Sequence, residues 1–381
     1  MENKYASLFG AKKLGFGMMR LPMRKLEEDV EVVDTDQVCQ MVDEFLDRGF
    51  RYFDTAHGYL DGKSELAVRH CLTSRYPRDR YILTDKLTSS FFKTEADIRP
   101  LFESQLKACG VDYFDFYLLH SITADNYDHY LNCHAFEAVQ QLKAEGLVQH
   151  IGFSFHDKPE LLRRILTEHP EIEVVQLQFN YADYEDPGVQ SRANYEVCQE
   201  FGKPVIVMEP VKGGRLANLI PEAAQVFADL HGGSAASYAV RFAASYEDTG
   251  MVLSGMSTLE QMRDNLSYMQ AFLPLTGAER AAVSRVCTLL HQQDTIACTN
   301  CRYCVAGCPK EILIPDLFAC LNAKKQYKDW NSEFYYEVNT NGHGKASDCI
   351  KCGQCEHVCP QHLPIRKLLV QAAEIFEKAE S

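Results

Sequence analysis

CTNCRYCVAGCP at residues 298–309 and CIKCGQCEHVCP at residues 349–360 repeat one spacing of cysteines, C-x2-C-x2-C-x3-C-P. Nine of the 15 cysteines in this chain of 381 residues lie between positions 298 and 359. A disulfide scaffold is improbable in a chain of this size that is expected to stay in the cytoplasm. Two complete copies of the run almost never arise by chance, so the pattern indicates that these thiols bind metal.

The spacing is typical of proteins with two [4Fe–4S] clusters, in which three thiolates of one run wrap a cluster and the fourth, beside proline, reaches the other. A pair of zinc sites is the alternative, because C-x2-C pairs also bind zinc. Cys320 lies outside both runs and is predicted to be a buried core residue. On this pattern the first cluster is held by Cys298, Cys301, Cys304 and Cys359, and the second by Cys349, Cys352, Cys355 and Cys308.

The insert between the two runs, residues 309–348, contains a helical stretch at Leu317–Lys325. It is longer than the insert of small bacterial ferredoxins and resembles the α-helical ferredoxin modules of respiratory iron–sulfur subunits. Residues 276–381 are therefore predicted to form a mostly helical ferredoxin-type domain that ends in a helical tail at Leu363–Lys378. No Gly/Ser-rich linker precedes this domain, so we expect it to dock on the rest of the chain.

Residues 1–275 alternate short apolar segments with stretches of helical periodicity. In Gln37–Arg48, for example, apolar residues recur on one helical face, and Gly49 follows as a C-cap. Eight strands that alternate with helices over roughly 270 residues predict a (β/α)8 barrel, and a doubly wound sheet is the alternative. The predicted strands are Leu14–Gly17, Tyr52–Asp54, Tyr81–Thr84, Phe114–Leu119, His150–Phe153, Val174–Phe179, Pro204–Met208 and Met251–Ser254.

Polar residues occur at the ends of three neighbouring strands of this predicted barrel. Asp54 ends the second strand, and Tyr59 lies in the loop after it. Lys86 follows the third strand, and His120 ends the fourth. Because the C-terminal strand ends of a barrel meet at one mouth, where catalysis occurs, we expect these four side chains to converge.

The stretches FDTA (53–56), TDK (84–86) and LLH (118–120), together with Tyr59, resemble the Asp/Tyr/Lys/His tetrad of aldo/keto reductases. GFG (15–17) with MRLP (19–22) resembles their first strand, and EGLVQHIGFS (145–154) their fifth. The resemblance implies an oxidoreductase that interconverts carbonyl and alcohol groups. Tyr59 is then the acid that protonates the alkoxide, Lys86 the cation that lowers its pKa, Asp54 the anchor of Lys86, and His120 the group that orients the carbonyl.

The same resemblance implies an NADP(H) or NAD(H) site along the mouth. Ser154 and Gln176 match positions that hold the nicotinamide carboxamide, and Met208 replaces a stacking aromatic ring. Whether the dinucleotide is NADPH or NADH is left open, because a glutamine stands where an arginine often binds the 2′-phosphate. The other matches are Lys212 and Gly213 over the pyrophosphate, Gly255 and Ser257 at the phosphate, Gln261 at the 2′-phosphate position, and Asp264 and Asn265 beside adenine.

Composition restricts the partners of the chain. The formal net charge is −14, which argues against nucleic acid, because binding phosphates requires a positive surface. No stretch is long and apolar enough for a membrane helix, and the N-terminus shows no leader pattern. A cytoplasmic protein is therefore expected.

Three functions are compatible with these patterns. The first is NAD(P)H-linked reduction of a small-molecule carbonyl, or the reverse oxidation of an alcohol, with clusters for accessory electron transfer. The second is an electron-transfer oxidoreductase, in which a ferredoxin or flavoprotein partner supplies the barrel site through the clusters. Since NAD(P)H gives two electrons as hydride and each cluster takes one, coupling normally requires a flavin, for which the sequence has no signature. The third is a redox-sensing subunit with a relic barrel.

Overall fold

The strands of the protein form one barrel and one small pair. The computed structural model describes residues 3–25, 31–186, 189–230, 232–291, 295–327 and 331–377. Within these ranges the strands are β1 Leu14–Gly17, β2 Met23–Lys25, β3 Glu31–Val33, β4 Tyr52–Asp54, β5 Ile82–Thr88, β6 Phe114–Ile122, β7 Val148–Phe155, β8 Val174–Gln178, β9 Val205–Met208 and β10 Thr249–Ser254.

Eight parallel strands close the barrel in the order β1-β10-β9-β8-β7-β6-β5-β4, which confirms the predicted (β/α)8 architecture over the doubly wound sheet. β2 and β3 form a separate antiparallel pair. The predicted strand ends differ by a few residues. The third barrel strand, for example, continues to Thr88, so Lys86 lies inside β5 and not after it.

Helices cover the outside of the barrel and make up most of the C-terminal region. The described helices are α1 Ala6–Phe9, α2 Thr35–Asp47, α3 Lys63–Val68, α4 Glu95–Cys109, α5 Ala124–Asn132, α6 Ala135–Ala144, α7 Pro159–Glu168, α8 Ser191–Glu200, α9 Pro221–Ala228, α10 Ala235–Ala244, α11 Leu259–Met269, α12 Gly277–His291, α13 Tyr303–Ala306, α14 Ile314–Tyr327, α15 Asn331–Thr340, α16 Gln354–His357 and α17 Ile365–Phe376. The predicted helical tail corresponds to α17, and its last predicted residue, Lys378, lies outside the described residues.

The helix α2 shows how local sequence sets these elements. Asp34 caps its N-terminus by accepting a hydrogen bond from the Gln37 backbone at 3.2 Å. Its buried residues recur every three or four positions, from Val38 to Leu46, and they face the strands. After the helix, Gly49 has a φ of +79°, a left-handed conformation that glycine adopts at little cost.

The barrel interior is filled by aromatic and aliphatic side chains, and its N-terminal end is closed by α1. The Phe9 ring stacks on Phe116 with centroids 5.2 Å apart and planes 6° apart. Asn3 fixes this segment by donating to the carbonyls of Gly10 and Gly250 at 2.9 and 3.0 Å. A Cβ at position 250 would overlap the Phe9 ring, so glycine at this position makes room for that ring, which plugs the end of the barrel.

The C-terminal region has a hydrophobic core of its own, which includes Leu317, Phe318 and Leu369. The division of the chain at residues 275/276 stays a prediction. Val283 and Val286 of α12 belong to the same core cluster as the barrel helices, so this helix packs on the barrel. Among the described residues, none of the helices combines the length and the apolar character required to cross a membrane.

The plug formed by Phe9 yields a stability prediction. Replacing Phe9 by alanine removes a fully buried ring from the barrel interior, and we expect a loss of about 3–5 kcal/mol in the free energy of unfolding. Phe91→Ala is the matched control, because the Phe91 side chain is 46% exposed and its removal should cost well under half as much. Thermal unfolding followed by circular dichroism under anaerobic conditions measures both. Equal midpoints for the two variants would show that α1 is not part of the folded barrel.

Candidate active site and cluster sites

Three adjacent strands carry the four predicted catalytic residues. Asp54 is the last residue of β4, Lys86 lies in β5, and His120 lies in β6, where it is in register with Thr88. Tyr59 follows β4 in a loop whose next three residues all have positive φ. Because β4, β5 and β6 are hydrogen-bonded neighbours, these side chains meet at one end of the barrel, as the sequence predicts.

A buried ion pair lies at the centre of this group. The Lys86 side chain is fully buried, and its Nζ donates to Asp54 Oδ1 at 2.6 Å and to the Thr55 carbonyl at 2.7 Å. The same ammonium lies 4.7 Å from the centroid of the Tyr59 ring. Two directed hydrogen bonds compensate for the loss of water around the charge and leave Lys86 one fixed orientation beside the tyrosine.

The imidazole of His120 completes the group. Its ring centroid lies 5.8 Å from that of Tyr59 with the planes at 74°, and Nδ1 lies 2.7 Å from Thr88 Oγ1. Burial lowers the pKa of His120 well below its usual value, and the Lys86 ammonium acts in the same direction. His120 is therefore neutral at physiological pH, with Nδ1 held by Thr88 and Nε2 left for a substrate oxygen.

The pKa of Tyr59 corrects one expectation. Burial raises it well above the usual value, and the carboxylates of Asp54, Asp85 and Glu209 act in the same direction, while Arg20 opposes them. The sequence predicts the opposite shift, from the cation of Lys86 alone. In the structure that ammonium is paired with Asp54, and the surrounding acidic groups and burial determine the direction. Tyr59 therefore keeps its proton throughout the neutral range.

Glu209 directly follows β9 at the mouth, and the sequence resemblance assigns it no role. It has a φ of +56°, and its Oε2 is buried without a hydrogen-bond partner in the described structure. Arg20 approaches its other carboxylate oxygen at 3.7 Å, and burial raises the pKa of the carboxyl. The sequence does contain a sign of such a residue, a carboxylate between the apolar strand β9 and Pro210. Acidic side chains are rarely buried without a partner, so this position could have been singled out.

The residues predicted to hold the nicotinamide lie beside the four catalytic residues. Ser154 in β7 and Gln176 in β8 are in register with each other. Gln176 Nε2 donates to Asp54 Oδ2 at 3.2 Å, and Ser154 Oγ accepts from the Ser121 backbone at 2.6 Å. Met208 ends β9, the next strand around the barrel. The structure thus brings this part of the predicted site to the mouth.

The residues predicted for the phosphates and adenine bind mainly to other parts of the protein. Ser257 Oγ donates to the Arg20 carbonyl at 2.9 Å, and the Ser257 backbone donates to the Gln261 side chain at 2.8 Å. A Cβ at Gly255 would contact the Arg20 side chain. At the adenine end Asp264 accepts from Ser234 at 2.6 Å, and Asn265 donates to Ser254 at 2.7 Å.

The predicted pyrophosphate loop is covered by the C-terminal region. Lys212 donates to Gln361 Oε1 at 2.7 Å and pairs with Asp183. Gly213 lies so close to Thr299 that a Cβ would overlap the Thr299 carbonyl oxygen, and its φ is +63°. Arg20 donates to the same carbonyl at 3.1 Å. The segment that begins the first cysteine run therefore lies across the edge of the mouth, between β1 and β9.

Tyr303, in the same cysteine run, interacts electrostatically with Tyr59 and Lys86. Burial raises the pKa of its phenol well above the usual value, Tyr59 raises it further, and the Lys86 ammonium opposes this. Tyr303 is thus within electrostatic range of two of the four predicted catalytic residues.

The eight predicted cluster ligands line two cavities of four cysteines each. No three His, Cys, Asp or Glu side chains among the described residues converge as closely as a single metal ion requires. Cys320 is buried and lines neither cavity. The first cavity is lined by Cys298, Cys301, Cys304 and Cys359, and the second by Cys308, Cys349, Cys352 and Cys355.

Comparison with family models gives two matches. Residues 13–286 match the aldo/keto reductase family, and residues 297–363 match a 4Fe-4S dicluster domain. Among solved structures, an aldo-keto reductase from Bacillus halodurans in its holo form is 25% identical and covers 72% of this chain and 91% of its own, with a TM-score of 0.58. An aldo-keto reductase from Klebsiella pneumoniae in complex with NADPH, at 22% identity, 72% and 90% coverage and a TM-score of 0.56, shares the fold.

Curated relatives match over shorter stretches. Aldo-keto reductase family 1 member C3 of Homo sapiens is 32% identical over 133 residues, which are 30% of this chain and 41% of that protein. NADH-specific methylglyoxal reductase of Escherichia coli (strain K12) is 24% identical over 204 residues, 48% of this chain and 60% of that protein. The matched part of the chain thus spans less than two thirds of either relative.

The division of ligands between the cavities yields a prediction for iron content. Cys304→Ala removes one of four ligands from the first cavity and none from the second, so about half the iron should be lost on anaerobic purification. Cys320→Ala is the matched control and should keep all of it. Full iron in the Cys304 variant, or half in the Cys320 variant, would show that the ligand sets are assigned wrongly.

Proposed function

Because the chain belongs to the aldo/keto reductase family, we propose that it reduces the carbonyl group of a small molecule to an alcohol, or catalyses the reverse oxidation, with NAD(P)H as the hydride donor. The observation that carries this proposal is the convergence of Tyr59, Lys86, Asp54 and His120 around one buried ion pair at the barrel mouth. The two C-terminal clusters would serve accessory electron transfer.

The proton that the product requires comes from Tyr59. Hydride addition to a carbonyl carbon leaves an alkoxide, and transfer of the phenol proton to that oxygen completes the alcohol. Neutral His120 would donate a hydrogen bond from Nε2 to the same oxygen and orient it toward Tyr59. Lys86 offers positive charge beside the tyrosinate that forms, and Asp54 keeps that ammonium in place.

The protein fits one end of a nicotinamide dinucleotide better than the other. Ser154 and Gln176 offer a hydroxyl and an amide next to the four catalytic residues, which suits a carboxamide. The Klebsiella pneumoniae aldo-keto reductase is described in complex with NADPH and the Escherichia coli relative as NADH-specific, so both dinucleotides are candidates for this chain. At the other end Lys212 and Gly213 are covered by Gln361 and Thr299, so binding of the pyrophosphate there would require this segment to move.

The choice between NADPH and NADH depends on the residues near the adenine end of the dinucleotide, where the 2′-phosphate would lie. Gln261 caps the backbone of Ser257, and Arg263, two residues further on, donates to Glu44 at 2.9 Å. Neither side chain is directed to a 2′-phosphate by these contacts, so we expect that the two dinucleotides are used with similar efficiency.

A second function is favoured by the position of the first cysteine run. Thr299 contacts the mouth, and Tyr303 is within electrostatic range of Tyr59, so a cluster on the first set of cysteines would be near the bound carbonyl. A ferredoxin or flavoprotein would then supply two electrons, one through each cluster in turn, and two protons would complete the alcohol.

Anaerobic addition of NADPH or NADH to the purified protein separates the two functions. The first predicts that test aldehydes consume the dinucleotide while the clusters remain oxidised in the electron paramagnetic resonance spectrum. The second predicts that dithionite-reduced protein, freed of dithionite, loses its cluster signals when the aldehyde is added without dinucleotide. If neither reaction occurs over a broad panel of carbonyl compounds, the redox-sensing alternative would replace both.

Tyr59→Phe tests the proposed acid. Loss of the phenol proton should lower kcat for carbonyl reduction by at least about 100-fold, since a general acid contributes 10²–10⁴-fold. Tyr113→Phe is the matched control, because this half-buried tyrosine packs against Arg78 just before β6 begins, at the end of the barrel opposite the mouth. Iron content should be unchanged in both variants. Turnover retained by the Tyr59 variant would exclude this residue as the acid.

The raised pKa of Tyr59 predicts the pH dependence. An acid works while it is protonated, and a pKa held well above its usual value of about 10 keeps Tyr59 protonated as the pH rises. The rate of carbonyl reduction should therefore show no basic limb between pH 7 and about pH 9. A fall in rate with a midpoint below pH 9, at pH values where the protein keeps its iron, would contradict this assignment.

A further inference from the structure

Gln361 has a buried hydrogen-bond donor that faces the first cysteine cavity. Its side chain is 8% exposed and lines the cavity together with Cys298, Cys301, Cys304 and Cys359. In the described structure Gln361 Nε2 is buried without a hydrogen-bond partner. A buried amide without an acceptor is costly, so the position indicates that a group within the cavity accepts this hydrogen bond.

The orientation of the Gln361 amide is fixed by Lys212. Lys212 Nζ donates to Gln361 Oε1 at 2.7 Å, and an ammonium can only donate, so the oxygen of the amide must face the lysine. The NH2 group then lies on the side of the amide away from Lys212, in a side chain that lines the cavity. Lys212 is itself 7% exposed, and its other partner is Asp183, whose second oxygen accepts from Gln178 and Asn180.

The two residues bring hydrogen bonding and charge to one side of the cavity. Reduction adds one electron to a cluster, and the added negative charge is stabilised by N–H donors to sulfur and by a nearby cation in a poorly solvated site. Asp183 offsets part of the charge of Lys212, and its own negative charge is shared with hydrogen bonds from Gln178 and Asn180. The net effect on a cluster in this cavity is therefore to favour the reduced state.

We propose that Gln361 and Lys212 are positioning residues that raise the reduction potential of the first cluster. Gln361 donates an N–H hydrogen bond to a sulfur of that cluster, and Lys212 holds the amide and contributes positive charge. The inference rests on the ligand assignment used in the proposed function. It also gives Lys212, which the sequence resemblance assigns to the pyrophosphate loop, a role directed toward the cluster.

The second cavity is also lined by a lysine and a glutamine, Lys310 and Gln354, but both side chains are exposed. Water therefore screens the charge of Lys310 and competes for the hydrogen bonds of Gln354. The second cluster is therefore an internal reference for the first within the same molecule.

Redox titration of the clusters, followed by electron paramagnetic resonance, tests the proposal. In Gln361→Leu and Lys212→Gln the ratio of reduced to oxidised first cluster at a fixed potential should fall about tenfold, a shift of ~59 mV for one electron. The second cluster should not change in either variant. Lys212→Arg keeps the charge and should recover most of the wild-type value. Lys310→Gln, the matched surface control, should leave the first cluster as in the wild type.

Iron analysis distinguishes the possible failures. Wild-type protein with far fewer than about eight irons per chain would overturn the ligand assignment and with it the inference. Lys212→Gln leaves the buried carboxylate of Asp183 without its cation, and this variant could lose iron for that reason alone. Gln361→Leu and Lys212→Arg both keep a cation beside Asp183, so their potentials test the proposal even in that case. Fully loaded variants with an unchanged first cluster, or with equal shifts of both clusters, would show that the two residues do not act on it.

Discussion

The ion pair between Lys86 and Asp54 is the interaction on which the site depends. A fully buried ammonium is tolerated only with close partners, and the carboxylate of Asp54 and the carbonyl of Thr55 supply them. Both partners are available because β4 and β5 are neighbours in a closed parallel barrel. The fixed cation in turn defines where Tyr59 can lie and helps to keep His120 neutral. The ion pair and the position of Tyr59 are thus successive consequences of the closed parallel barrel.

A second set of contacts joins the barrel to the cluster-binding region. Arg20 and Gly213 meet the Thr299 backbone, and Lys212 meets Gln361. Thr299 lies in the first cysteine run, and Gln361 directly follows the second. The C-terminal region therefore contacts the mouth through the same segments that carry the predicted cluster ligands. This placement gives the clusters a physical reason to share a chain with the barrel.

Much of this was predictable because the chemistry fixes the spacing of the residues. The cysteine runs predict two sets of four ligands, and three successive strand segments predict that Asp54, Lys86 and His120 converge, although Lys86 and His120 lie inside their strands and not at the ends. The contacts between Lys212 and Gln361 were not predictable, because the two residues are 149 positions apart and no local pattern connects them. The direction in which the pKa of Tyr59 is shifted could not be predicted from the sequence either, since it depends on burial and on carboxylates from several separate strands and loops. The short helix α1 carries too few residues for a periodic signal.

A crystal structure of the anaerobically prepared protein with a bound carbonyl compound would test the proposed site directly. We expect two clusters, the first held by Cys298, Cys301, Cys304 and Cys359 at the barrel mouth. We also expect the carbonyl oxygen within hydrogen-bonding distance of the Tyr59 hydroxyl and of His120 Nε2. A carbonyl compound bound away from these two groups, or a first cluster far from the mouth, would contradict this expectation.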